Sequence, residues 1–261
     1  RLDISDVSAA KAFIGAAKVD AVINCAAYTA VDKAETEIAA AFETNALAPA
    51  VLAEATRDAG VPLVHVSTDY VFDGTGQGPY EVDDPIRPIG VYGASKAAGE
   101  YAVALGNPRS AVVRTAWVVS ARRTNFVKTM LRYGQERDVM RVVDDQRGAP
   151  TFAADLAEAL AVVALRMISD REAPTGLFHF SNDGPTTWHG FAAAIFEAAA
   201  AKGLKTPKLE PIATADYPTP AKRPANSLLS TARITRDYGV TPRPWRDGLP
   251  ALIDDILRSP A

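Results

Sequence analysis

The sequence predicts an α/β protein in which helices cover both faces of a doubly wound parallel sheet. Short apolar segments rich in β-branched residues alternate with alanine-rich segments that have helical spacing of apolar residues. Strands that alternate with helices in this way favour a parallel sheet. After Gly203 the pattern loosens and prolines become frequent, which predicts a smaller, loop-rich region at the C-terminal end.

Five short apolar segments are predicted to be strands. They are residues 19–27, 62–67, 111–119, 139–144 and 177–181. Six longer segments are predicted to be helices. They are residues 37–59, 91–105, 125–136, 152–167, 187–202 and 247–257. Gly60 and Gly203 act as helix stop signals, and Thr151 is predicted to cap the helix that follows it.

The composition is that of a globular protein, with 48% apolar residues, 23% charged residues and a formal net charge of −3. A nucleic-acid-binding protein would normally carry a basic excess, so that class is not expected. No segment has the roughly 18 apolar residues of a membrane span, and residues 1–6 do not resemble a signal peptide. The single cysteine, Cys25, excludes an intrachain disulfide, is expected to be buried, and fits a cytoplasmic protein.

Polar side chains follow the predicted strand at residues 62–67. Thr68 and Asp69 stand at its carboxyl end, and ligands of doubly wound sheets bind outside the carboxyl ends of strands. A hydroxyl group at this place can reach a substrate oxygen. Taken alone, however, the segment is more typical of a polar turn between a strand and a loop.

A Tyr-x-x-x-Lys spacing opens the helix predicted at residues 91–105. Tyr92 and Lys96 are four residues apart, so they share one helix face. An ammonium group beside the phenol would stabilise the phenolate; lowering a tyrosine pKa by about 3 units from its ordinary value takes roughly 4 kcal/mol. Tyr92 would then be an acid–base group near neutral pH. The alternative is two partly exposed residues on an amphipathic helix.

The order of these two signals narrows the interpretation. A hydroxyl group at a strand end, followed about two dozen residues later by Tyr-x-x-x-Lys in a helix, resembles the short-chain dehydrogenase/reductase superfamily. Residues 67–100 are similar to its extended branch, and specifically to the dTDP-4-dehydrorhamnose reductases. Further segments match that family. They are residues 24–35, 114–117, 125–130, 145–151 (DQRGAPT) and 217–224.

The resemblance implies a Rossmann-type sheet that binds NADPH or NADH, with a smaller C-terminal substrate-binding cap. It assigns residues 1–119 and 139–181 to the cofactor-binding core, and residues 120–138 and 182–261 to the cap. The family begins with a strand, a glycine-rich loop, a helix and a second strand, which are missing from this sequence. Since that loop holds the pyrophosphate in the family, we expect further residues to precede residue 1 in the complete protein.

The resemblance also implies the reaction and the residues that perform it. The chain would reduce dTDP-4-dehydro-6-deoxy-L-mannose (dTDP-4-dehydro-β-L-rhamnose) to dTDP-L-rhamnose, with hydride transferred to C4. Tyr92 would donate a proton to O4, Lys96 would tune Tyr92 and hold the nicotinamide ribose, and Thr68 would bind the carbonyl oxygen. Asp69 and Trp117 would line the substrate site. The other residues expected at the cofactor are Asp3, Ile4, Ala27, Tyr28, Thr29 and Val66.

Several alternatives stay open. A nucleotide-sugar epimerase or dehydratase of the same branch would be compatible with Thr68 and Asp69, although the 145–151 segment favours the reductase. A regulatory subunit like that of methionine adenosyltransferase would bind a partner instead of acting as an enzyme. Trp117 could pack in the core instead of contacting substrate.

The expected partners are a dTDP-sugar and a second copy of the chain. No metal is predicted, because the histidines lack metal-ligand spacing.

Overall fold

A computed structural model of the chain describes residues 2–258. Its strands, in chain order, are β1 (Val22–Asn24), β2 (Leu63–Thr68), β3 (Ser110–Thr115), β4 (Val118–Val119), β5 (Val139–Val143), β6 (Arg147–Gly148), β7 (Thr151–Phe152), β8 (Gly176–His179), β9 (Thr186–Thr187) and β10 (Lys208–Ile212). Its α-helices are α1 (Val7–Ala17), α2 (Val31–Ala34), α3 (Ile38–Phe42), α4 (Ala48–Asp58), α5 (Val91–Gly106), α6 (Phe126–Glu136), α7 (Ala153–Ser169), α8 (Trp188–Ala200), α9 (Ala232–Tyr238) and α10 (Trp245–Arg258).

The main sheet has four parallel strands in the order β1-β2-β3-β8. Neighbouring residues of its central strands face opposite sides. Leu63 and Val112 pack with α1, α4 and α5, whereas Val64 and Val113 pack with α7 and α9. Burial of both faces explains why the strands are continuous apolar runs. The predicted α/β class with a parallel sheet is therefore confirmed.

A second hydrophobic cluster lies outside the main sheet. It joins residues of α6, α8 and α10 with those of β5 and with Phe152. Strand β5 pairs in parallel with β10, which lies in a region that the sequence predicts to be loops. That prediction is wrong for β10 and α9. Both elements are short, so their apolar residues show no clear periodicity in the sequence. Helix α1 is also absent from the sequence prediction.

Three local predictions are corrected by the structure. The strand predicted at 111–119 is interrupted, because Trp117 has a left-handed backbone with φ 50° between β3 and β4. Thr151 belongs to β7, and Phe152 is the N-cap of α7, so Thr151 does not cap that helix. Cys25 is exposed, because β1 ends at Asn24. Among residues 2–258, no helix combines the length and apolar character that a membrane crossing needs.

Candidate active site

Thr68, Tyr92 and Lys96 meet at the carboxyl end of β2. The Thr68 hydroxyl faces the Tyr92 phenol, and Lys96 Nζ donates to the carbonyl oxygen of Val66 at 2.7 Å. Close contact between α5 and the turn after β2 is possible because residue 93 is glycine: a Cβ there would collide with the carbonyl oxygen of Tyr70. The structure therefore brings the three predicted catalytic residues together.

Burial is the main influence on the pKa of Tyr92. Burial raises the pKa of Tyr92 above its ordinary value, and the Thr68 hydroxyl opposes this effect only in part. Lys96 Nζ donates to the carbonyl oxygen of Val66 in this structure, so the tuning of Tyr92 by Lys96 stays a prediction. A phenol with a raised pKa keeps its proton at neutral pH, which is the state a proton donor requires.

Lys96 is buried and almost enclosed by protein groups. Besides Val66, its Nζ contacts Nε2 of His65 at 3.3 Å. Desolvation by burial lowers the pKa of Lys96 to about 8, while Glu100 and Cys25 act in the opposite direction. Val66, predicted at the cofactor, thus contacts Lys96 through its backbone carbonyl.

Asn45 is a site residue that the sequence analysis did not identify. It lies in a π-helical turn, Glu43–Leu47, between α3 and α4 and is fully buried. Its Oδ1 accepts the N–H of Tyr28 at 2.8 Å, and its Nδ2 donates to the carbonyl of Tyr28 at 3.1 Å and to Ser95 Oγ at 3.0 Å. Asn45 therefore fixes the predicted cofactor segment against α5. The available signal was one amide residue inside an alanine-rich helix, and π turns often mark functional sites.

A buried ion pair sets the position of α5 against the sheet. Arg114 Nη2 and Nε donate to the Glu100 carboxylate at 2.7 and 2.9 Å, and both side chains are almost fully buried. Ser67 Oγ donates to the same carboxylate at 2.5 Å. The pair joins β2, β3 and α5 immediately behind Thr68 and Tyr92. A bidentate arginine–carboxylate pair holds one geometry, so it aligns the helix that carries Tyr92 with the strand that carries Thr68.

The residues predicted to bind the cofactor lie at two locations, an apolar groove and a larger cavity. Ile4 lines an apolar groove of about 210 Å³ beside the end of β1, together with Asn24 and Cys25. Ala27 and Tyr28 follow that groove along the chain, whereas Thr29 lines a larger cavity. Asp3 is exposed at the surface, and its carboxylate accepts from the N–H and hydroxyl of Ser5.

The larger cavity, of about 730 Å³, opens between the end of the sheet and the second hydrophobic cluster. Trp117 lines it and stacks on Trp188, with ring centroids 3.6 Å apart and an interplanar angle of 14°. Trp117 thus packs against another ring and also faces the cavity. Arg223 in its wall donates to Asp32 at 2.8 Å and to the Tyr70 hydroxyl at 3.2 Å. Lining residues that sequence reasoning missed are Phe126, Tyr133, Arg137, Arg141, Gln146, Trp188 and Tyr217.

Asp69, at the start of the turn after β2, titrates unusually. Burial raises its pKa from 3.8 to about 6, although Ser227 and Thr68 hydroxyls oppose the shift. The folded chain therefore binds this proton more tightly than the unfolded chain does. That contribution to stability is present in full below about pH 4 and is lost as the pH rises through about 6.

Replacing Asp69 by asparagine should remove this titration. We expect Asp69→Asn to raise the free energy of unfolding at pH 7 by about 3 kcal/mol, because no buried carboxylate then has to ionise. The gain should shrink as the pH falls from 6 to 4. Urea unfolding at pH 7 and pH 4.5 measures both values, and a gain that is the same at both pH values would contradict the assignment.

The parallel α/β sheet and the cluster of Thr68, Tyr92 and Lys96 define the class of short-chain dehydrogenase/reductase-like proteins. A more specific match comes from the family model described as the RmlD substrate binding domain, which covers residues 1–258. The chain belongs to this family. Within residues 2–258, no three His, Cys, Asp or Glu side chains are grouped so that they could hold a metal ion.

Known proteins are similar to this chain over most of their length. The dTDP-4-dehydrorhamnose reductase of Burkholderia thailandensis is 44% identical over 248 residues, which covers 92% of this chain and 83% of that protein. The reductase of the same name from Aggregatibacter actinomycetemcomitans is 42% identical over 250 residues, covering 95% and 85%.

Solved structures agree with the fold. The dTDP-4-dehydrorhamnose reductase of Clostridium acetobutylicum superposes with a TM-score of 0.91 at 38% identity, covering 99% of this chain and 88% of that one. The Bacillus anthracis reductase, solved in complex with NADP, gives a TM-score of 0.88 at 35% identity, covering 97% and 87%.

Proposed function

We propose that the chain catalyses the NADPH-dependent reduction of dTDP-4-dehydro-β-L-rhamnose to dTDP-L-rhamnose. The observation that carries this proposal is the Tyr92 phenol, which faces the Thr68 hydroxyl and packs edge-to-face on Tyr70 in the wall of a large aromatic cavity. Such a pair can bind and protonate a carbonyl oxygen that becomes an alkoxide. The relatives named dTDP-4-dehydrorhamnose reductase, at 42% and 44% identity, support the choice of substrate.

The residues at the end of β1 suit a nicotinamide coenzyme. The groove that Ile4 lines is apolar, as the face of an adenine ring requires. Tyr28 is held in place by Asn45, and Lys96 reaches the same end of the sheet. The proposed coenzyme site also includes Asp3, Ala27, Thr29 and Val66. When bound, the coenzyme supplies the hydride that reduces C4 of the sugar.

The protein groups then handle the carbonyl oxygen. Thr68 now donates its hydroxyl hydrogen to Asp69 Oδ1 at 3.0 Å; it would exchange this bond for one to the substrate oxygen and so fix the carbonyl. Tyr92 would pass its phenolic proton to O4 as negative charge develops there. Lys96, still charged below a pKa of about 8, would offset the negative charge left on the phenolate.

The nucleotide-sugar would bind in the larger cavity. Trp117 would line its sugar end, where the buried Asp69 precedes the lining residue Tyr70. Arginines of the wall would meet the diphosphate, since guanidinium groups pair bidentately with phosphate oxygens. The division into a cofactor-binding core, residues 1–119 and 139–181, and a substrate-binding cap, residues 120–138 and 182–261, belongs to the same proposal with one correction: β5 pairs with β10 and packs in the second hydrophobic cluster, so residues 139–143 go with the cap. A cytoplasmic location and a homodimer belong to the same proposal.

Trp117 provides a test of the cavity assignment. We expect Trp117→Ala to raise the KM for the sugar nucleotide about tenfold or more, because a ring contact worth roughly 1–3 kcal/mol is lost. Trp117→Phe, which keeps an aromatic ring, should recover most of the affinity. If the alanine variant lost stability with an unchanged KM, Trp117 would serve only to pack on Trp188.

The deciding experiment follows NADPH and NADH consumption by the purified chain, with the 4-dehydro sugar nucleotide generated in situ. Coenzyme oxidised in equal amounts to the rhamnose product would support the reductase. Product formed without net coenzyme oxidation would indicate an epimerase or a dehydratase. No turnover, together with recovery of a stoichiometric protein partner, would favour the regulatory subunit instead.

A further inference from the structure

Behind Lys96 lies a line of buried polar side chains that the proposed reaction does not use. His65 is the third residue of β2 and fully buried, and Asn24 is the last residue of β1 and 4% exposed. Asn24 Nδ2 lies 3.0 Å from His65 Nδ1, and His65 Nε2 lies 3.3 Å from Lys96 Nζ. The imidazole ring therefore connects the amide directly with the amino group.

The backbone determines which way the Asn24 amide points. Its Oδ1 accepts the N–H of Ala26 at 3.0 Å, and a backbone N–H can only donate, so the atom that faces His65 must be the amide nitrogen. An amide nitrogen is a donor, which makes His65 Nδ1 an acceptor. Because burial lowers the pKa of His65 well below its usual value, the ring is neutral and carries its one proton on Nε2.

This tautomer presents a donor to Lys96. An uncharged amine satisfies every contact, since it can donate to the carbonyl of Val66 at 2.7 Å and accept from His65 Nε2 through its lone pair. An ammonium group has no lone pair, so its hydrogens would face the Nε2–H. We propose that Asn24 and His65 act as positioning residues that favour the uncharged amine of Lys96 over its ammonium form.

Other groups act on Lys96 as well. The charged form of Lys96 is favoured by Glu100, which lies on the same helix α5, and by Cys25, which lies in the segment after β1. Desolvation by burial opposes them, and in our proposal the Nε2–H of His65, on β2, adds to that effect. The balance makes Lys96 lose its proton at a lower pH than an exposed lysine. Since Lys96 offsets the charge on Tyr92 in the proposed reaction, this consequence for turnover rests on the proposed function, whereas the tautomer does not.

The tautomer can be read in the unmodified chain. The sequence has three histidines, so a two-bond proton–nitrogen correlation spectrum of the ¹⁵N-labelled protein at pH 7 contains few imidazole signals. His179→Gln and His189→Gln identify the His65 signals by elimination. We expect the His65 proton on Nε2. A proton on Nδ1, or on both nitrogens, would overturn the proposal without any measurement of activity.

Two variants of Asn24 test the effect on Lys96. Asn24→Leu removes the donor to Nδ1, and Asn24→Asp requires a proton there, so in both variants Nε2 can accept from the ammonium group. We expect the Lys96 titration midpoint, followed by ¹³Cε NMR and assigned with Lys96→Arg, to rise by about one pH unit, a tenfold change in proton affinity. A rise in the aspartate variant alone would be an effect of its charge and would contradict the proposal.

Asn107→Leu is the matched control. Asn107 is also a buried amide, bound to Thr56 and Val61 at the C-terminal end of α5, about three turns beyond Lys96. Its replacement should leave the Lys96 midpoint unchanged. In the coenzyme assay, the alkaline limb of the kcat/KM profile should move upward in both Asn24 variants and stay in place in the control. If the unmodified chain shows no turnover, the proposed function fails, while the NMR titration still decides the role of Asn24 and His65.

Discussion

Tyr92→Phe is expected to lower kcat for the reduction by about 10²- to 10⁴-fold, the range usually contributed by one general acid. The phenylalanine ring keeps the edge-to-face contact with Tyr70, whose centroid lies 5.4 Å away, so the fold and the cavity should be preserved. The hydroxyl is the group that is lost, and with it the proton for O4. Steady-state assays at saturating coenzyme measure the effect on kcat.

Tyr101→Phe is the control for this experiment. Tyr101 lies on the same helix but is 62% exposed, so loss of its hydroxyl should leave turnover unchanged. Thermal unfolding of both variants checks that the fold is kept. Wild-type turnover in Tyr92→Phe would eliminate Tyr92 as the proton donor and with it the proposed mechanism.

Arg114→Met is expected to lower the free energy of unfolding by about 3–5 kcal/mol, because it leaves the Glu100 carboxylate buried without a countercharge. Arg114 is 2% exposed and also lies over the ring of Phe72, with Cζ 5.0 Å from the ring centroid. Methionine keeps part of this packing, so the loss reports mainly on charge. Urea unfolding monitored by circular dichroism gives the value.

Two further variants show whether the burial of the pair causes this effect. Asp255→Asn breaks an ion pair with Arg258 in which both side chains are more than 60% exposed, and it should cost less than about 1 kcal/mol. Arg114→Met combined with Glu100→Leu should recover much of the stability, since no unpaired charge remains. A double variant as unstable as Arg114→Met alone would show that the loss came from packing.

The main sheet could be predicted from the sequence because its strands are buried on both faces. Leu63 and Val64 point to opposite sides, yet both must be apolar, and the resulting run is visible without any alignment. The break at Trp117 could not be predicted, because the residues around it are apolar and β-branched while the turn depends on backbone geometry. The π turn that holds Asn45 leaves no periodic signal either.

The part of the candidate site that could be predicted is formed by residues that are close together in the sequence or stand at a strand end. Tyr92 and Lys96 are four residues apart, and Thr68 stands at a strand end, so motif and position revealed them. The line from Asn24 through His65 to Lys96 joins residues 41 and 31 positions apart. The aromatic wall of the larger cavity likewise combines Trp117 and Trp188, which meet only when the chain is folded.

The ion pair between Arg223 and Asp32 has a consequence for the order in which the chain folds. The two residues are 191 positions apart, and Arg223 and Tyr70 are 153 apart. Contacts of such long sequence separation form late, because closing a long loop costs entropy before any contact compensates it. During synthesis, which proceeds from the N-terminus, the strands of the sheet leave the ribosome well before Arg223 does. The wall of the cavity is therefore completed only after the segment that carries Arg223 has been made.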